Sequence, residues 1–174
     1  MKYLFVLIFI IVFIVFDKRI GYTDTSALWT HFTYMFQHAN IIHLIINSLA
    51  FIGMFRVLEE AVNKYFLVLI ILSISVAASF LSMYELPTVG ISGGVHAMIG
   101  ILLAMLTLKY KISLTAKSQL NIIALSVAIC FIVSYFKTNS NFWLHLYCLI
   151  MGYVFWMIVK LHKMLNENYI SQNP

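Results

Sequence analysis

Residues 88–108 read TVGISGGVHAMIGILLAMLTL, an apolar run long enough to cross a bilayer whose mouth carries a serine set among glycines. A spanning helix needs roughly 17 to 25 predominantly apolar residues. Further runs can be followed over 3–16, 41–58, 66–84, 120–136 and 142–161, of which the first is short. The pattern predicts an all-α membrane protein, a bundle of six transmembrane helices in one domain covering 1–174, with no linker, repeat or low-complexity segment dividing it.

Composition agrees. The chain is 63% hydrophobic and only 10% charged, with a mean hydropathy of +0.96, whereas soluble domains carry about a quarter charged residues. The first run is read as an uncleaved helix rather than a secretory signal, because Asp17-Lys18-Arg19 follows it and no small-residue cleavage site does.

With the N-terminus inside, Lys2, Arg56, Lys64, Lys109, Lys111, Lys117, Lys160 and Lys163 fall on the cytoplasmic side. Only Lys18, Arg19 and Lys137 fall outside, which satisfies the positive-inside rule and places both termini in the cytoplasm. The net charge of +5 follows from basic helix ends meeting anionic headgroups, so the expected partner is the lipid bilayer and not nucleic acid. The short chain and the lack of a transit peptide favour a bacterial cytoplasmic membrane. Cys130 and Cys148 both fall inside runs and are expected as packed thiols. The polar stretch 17–40 keeps Trp29, Phe32, Tyr34, Met35 and Phe36, which suits a folded outer loop at the interface, with His31 and His38 interfacial or structural.

Glycines on both sides of Ser92 allow a tight turn and leave backbone N–H groups at a helix N-terminus, where negative charge is stabilised. Small residues in membrane helices also serve close packing, and packing alone would account for Gly93, Gly94 and Gly100. His145 stands near the outer end of the sixth run, at the depth expected of Ser92. Ionisable residues within spans are expensive and mostly functional, and a neutral imidazole can accept a serine proton. Ser92 and His145 are therefore candidates for nucleophile and base.

Every carboxylate lies in a loop, at a helix end or in the C-terminal tail, so the expected arrangement is a dyad. His96, one helical turn from Ser92 on the same face, serves either as a ring stacked on His145 or as a buried hydrogen-bonded side chain. His43 and Asn47 stand four apart on one face at the outer end of the second run and offer donors to an oxyanion or bonds to neighbouring helices. Gly100 and Gly152 lie about two turns beyond Ser92 and His145, where small residues allow the fourth and sixth helices to approach. A metal site built on Glu59, Glu60 and the histidines fails on distance, since the glutamates stand about 24 Å along the helix from His43. A transporter would call for broken helices and paired repeats, which the chain lacks.

His43-x-x-x-Asn47, Gly90-x-Ser92-Gly93 and His145, in that order on the second, fourth and sixth runs, resemble the rhomboid family of intramembrane serine proteases. The resemblance extends from Trp29 through Gly152. It implies a six-helix rhomboid-like core, a serine endopeptidase with Ser92 as nucleophile and His145 as general base, and an oxyanion hole of His43, Asn47 and the Ser92 amide. Gly90, Gly93, Gly100, Gly152 and His96 would support that site. It further implies transmembrane protein substrates entering laterally from lipid, with no metal and no cofactor. The alternative within the family is a catalytically silent protein that binds membrane clients. Three positions depart from the family pattern: Thr30 follows Trp29 where arginine is common, His96 stands where tyrosine is frequent, and Cys148 occupies a position often held by glycine.

Overall fold

The computed structural model describes residues 1–16, 20–82, 84–108 and 140–172, with side chains as far as 164. The apolar runs become helices α1 (Lys2–Val15), α3 (Ile41–Leu58), α4 (Lys64–Leu81), α5 (Ser92–Thr107) and α6 (Phe142–Gln172), with a short α2 (Thr30–Thr33) in the loop after α1. The expected helix over 120–136, Cys130 within it, lies outside the described residues, as do Asp17, Lys18 and Arg19. Helices α3 and α4, and α6 as far as Met164, are long and apolar enough to span a membrane, while α1 and α5 are shorter apolar helices. The chain is an all-α membrane bundle.

Asparagine starts three of these helices. Asn40 Oδ1 accepts the His43 amide at 2.8 Å, Asn63 Oδ1 accepts those of Tyr65 at 2.9 Å and Phe66 at 3.4 Å, and Asn141 Oδ1 accepts that of Leu144 at 3.1 Å. Each bond satisfies an N–H that the first helical turn leaves without a backbone partner.

α5 begins later than its apolar run. Thr88 is held in an antiparallel bridge with Tyr22, and Gly90 adopts φ +109°, a left-handed conformation that glycine takes without strain. Together they keep 88–91 out of the helix. α4 stops at Leu81 rather than running to Tyr84, because Ser82 leaves helical geometry and the Tyr84 carbonyl turns to accept the Asp24 amide at 3.0 Å. α6 continues past Leu161 to Gln172 through a polar tail containing the good helix formers Lys163, Met164 and Leu165.

α5 occupies the centre, packed against α3, α4 and α6, and from Gly93 to Met105 it is buried except at Leu103. Its contact with α6 is backbone on backbone. A Cβ on Gly100 would stand 2.1 Å from the Leu149 carbonyl oxygen, and one on Gly152 would stand 2.2 Å from that of Ala97. α1 packs on α3 through Phe5, Phe9 and Phe51, with the Phe9 and Phe51 rings edge to face at 5.8 Å. Lys2 and Glu59 form an ion pair joining the ends of those two helices.

The loop between α1 and α3 is folded. It exposes the large apolar side chains Leu28, Trp29 and Phe32 together with the polar Asp24, Thr25 and Asn40, whereas Tyr22, His31, Tyr34, Gln37 and His38 are buried. Thr30 is buried as well, its hydroxyl donating to the Ala27 carbonyl at 2.7 Å and pairing with Ser26 Oγ at 2.8 Å. A short side chain at this position thus closes a local turn.

Candidate functional site

The geometry of the site begins with the α5–α6 contact. Because Gly100 and Gly152 let the two backbones touch, the side chains about two turns away can meet. His145 Nε2 lies 2.9 Å from Ser92 Oγ, within the range of a good hydrogen bond. Ser92 is half-buried and His145 buried.

His96 combines both arrangements open to it from the sequence. Its Nδ1–H donates to the Ser92 carbonyl at 2.7 Å, and its ring stacks on His145 with centroids 4.4 Å apart and planes 9° from parallel. The hydrogen bond fixes the His96 ring, and the stack in turn restricts the His145 ring to one plane.

Ser92 is the first residue of a helix that has no side-chain cap, its preceding residue being Ile91. The first helical bond runs from the Val95 amide to the Ile91 carbonyl at 3.0 Å. The amides of Ser92, Gly93 and Gly94 therefore precede the ladder and sit at the positive end of the helix. At 16 residues, α5 is about 24 Å long, less than the roughly 30 Å hydrocarbon core.

His43 and Asn47 converge on the same turn. A Cβ on Gly90 would lie 2.8 Å from His43 Cε1, 3.3 Å from His43 Nε2 and 3.5 Å from Asn47 Nδ2. Gly90 thus leaves the space that these two side chains fill. The Ala39 amide donates to His43 Nδ1 at 3.2 Å, which puts the hydrogen of the neutral ring on Nε2. The turn is anchored from outside by the Gly90 amide, which donates to the Tyr34 carbonyl at 2.9 Å. The Cys148 departure fits this packing: its sulfur stands 3.1 Å from the place a Gly93 side chain would take.

His31 is held elsewhere, whereas His38 borders this cluster through the His43 ring. His31 Nδ1 bonds Ser79 Oγ at 2.8 Å, and its ring is sandwiched between Tyr22 and Phe80. His38 packs between Phe9 and His43, and burial, with His43 beside it, pushes its imidazole down to about 3. It is a neutral packing residue at physiological pH. Two contributors escaped sequence reading: Tyr34, whose carbonyl holds Gly90, and Asn141, whose side chain joins four segments. The available signal for Asn141 was its place immediately before an apolar run, an N-cap position.

An apolar helical bundle with a serine hydroxyl and an imidazole hydrogen-bonded between the two most closely packed of its described helices is an integral membrane protein. A family model described as the Rhomboid domain matches residues 25–162, and the chain belongs to that family. No curated protein matches it.

Proposed function

We propose that the chain is an intramembrane serine endopeptidase that cleaves transmembrane segments of other membrane proteins with a Ser92–His145 dyad. The observation that carries this reading is the 2.9 Å contact between His145 Nε2 and Ser92 Oγ. As Oγ attacks the scissile carbonyl carbon, His145 Nε2 takes its proton; the carbonyl oxygen becomes an oxyanion. The Ser92 amide, His43 Nε2–H and the Asn47 side-chain amide stabilise that charge. His145 then protonates the leaving amine, and water, deprotonated by the same ring, releases the acyl group from Ser92. No step calls for a metal or cofactor. In this reading the protein lies in a cytoplasmic membrane with both termini inside, and a substrate segment reaches Ser92 from the lipid and from the outer half of the bilayer.

The direct test is a fluorophosphonate probe on the full chain in liposomes, followed by mapping of the adduct. Covalent modification at Ser92 is expected. Unmodified protein, or an adduct elsewhere, would leave the silent client-binding reading in its place.

Asn47 supplies a further expectation. Replacing one oxyanion donor lowers turnover by on the order of 10²-fold or more in acyl-transfer sites, so Asn47→Ala should reduce kcat on a model transmembrane substrate while its melting temperature stays near wild type. Unchanged turnover would remove Asn47 from the oxyanion hole.

A further inference from the structure

Asn141 is a buried polar residue whose side chain is committed in two directions. Its Oδ1 caps α6 through the Leu144 amide at 3.1 Å. Its Nδ2 lies 2.9 Å from the Tyr22 hydroxyl, 3.0 Å from the Ser82 carbonyl and 3.1 Å from the Thr88 hydroxyl. Two hydrogens face three acceptors, so each of those oxygens is within reach of a shared donor.

The acceptors come from three different segments: the loop after α1, the end of α4 and the stretch entering Ser92. Tyr22 and Thr88 are themselves joined by two backbone bonds, at 3.2 and 2.9 Å, and Tyr22 Oη also pairs with Ser82 Oγ at 2.9 Å. Thr88 precedes Ser92 by about one helical turn of sequence, and Asn141 precedes His145 by the same step. A single amide therefore ties together the two chain segments that deliver the two members of the dyad. The backbone contacts at Gly100 and at Gly152 pin the same two helices about two turns away.

We infer that Asn141 is a positioning residue: it fixes the rotation and height of α6 against the Thr88–Ser92 segment so that His145 Nε2 meets Ser92 Oγ. The inference rests on the proposed Ser92–His145 chemistry. Capping alone would support α6 without aligning it; the Nδ2 bonds supply the alignment. Misplacement of a catalytic group by about 1 Å can lower rates on the order of 10²-fold, and this is the scale on which a loosened α6 would act.

Three variants of the full chain in liposomes separate alignment from stability. Asn141→Ser keeps an oxygen suited to capping and removes the cross-ties. Thr88→Val removes one acceptor and leaves the cap. Asn63→Ala removes the cap of α4 and serves as a control for helix stability alone. The readouts are the rate of fluorophosphonate labelling at Ser92, kcat and KM on a model transmembrane substrate, and the melting temperature.

Asn141→Ser should lower both labelling rate and kcat about tenfold or more, and Thr88→Val about threefold, with KM within about twofold of wild type. Asn63→Ala should lower only the melting temperature. Wild-type labelling rates and kcat in folded Asn141→Ser and Thr88→Val would overturn the inference while leaving the dyad in place. Should Asn141→Ser not fold, Thr88→Val decides alone. A wild-type chain that takes no label would instead remove the dyad, and the role of Asn141 with it.

Discussion

Ser92→Ala is expected to abolish phosphonate labelling and to reduce cleavage of a model transmembrane substrate by at least about 10⁴-fold. Removal of a nucleophile or its base from a hydrolase of this chemistry has effects on the order of 10⁶ in kcat, with a residual rate carried by the oxyanion site; a dyad without a carboxylate starts from a smaller enhancement. The substitution removes one oxygen from a half-buried site and places alanine, the best helix former, at the first position of α5. The melting temperature should therefore hold. His145→Ala should reduce labelling and cleavage nearly as far, because the base and the nucleophile act as one unit, and the double variant should be little worse than either alone. It should also lower the melting temperature, since the ring is buried and stacked on His96. Substantial cleavage by Ser92→Ala at wild-type protein concentration would end the proposal that Ser92 is the nucleophile.

How much of this is legible in the sequence depends on whether the controlling interaction is local. The helix over 41–58 was readable because its apolar composition lies within the run itself. Hydropathy alone carries the fourth run back to Thr88, whereas the glycines around Ser92 mark a helix N-terminus there; the bridge to Tyr22, far away in sequence, and the positive φ of Gly90 together hold 88–91 out of α5. The polar tail of α6 escaped for a related reason: a search for apolar residues stops at the membrane boundary, while helix propensity does not.

His31 and His38 show the same limit in another form. Among polar neighbours they suggest an interfacial loop, and only the fold of 20–40 onto α1 and α4 buries them. The serine, the histidines and Asn47 stood out because polar groups in apolar runs are rare and demand an account. Asn141 did not, since an asparagine just before a helix is explained locally by capping; its three bonds to remote segments have no local signature.

The second large effect concerns a position with no side chain at all. A Cβ on Gly100 would stand 2.1 Å from the Leu149 carbonyl oxygen and 2.8 Å from the Tyr153 nitrogen, and both neighbours are backbone. Neither can rotate aside, so any side chain must drive α5 and α6 apart. Gly100→Ala sets a gain of about 1 kcal/mol in helix propensity against an overpacking cost of typically 1–3 kcal/mol or more. We expect a net loss of stability and, because the dyad lies about two turns from the contact, a fall in labelling larger than the stability change alone implies. Gly100→Val adds two methyl groups to the same clash and should prevent assembly of the native bundle. The lipid offers no restoring force, because close packing, and not exclusion of water, holds helices together in a bilayer. Melting in detergent and phosphonate labelling, measured side by side, check both variants. If Gly100→Val melted and labelled like wild type, the backbone contact between α5 and α6 could not be what brings His145 to Ser92.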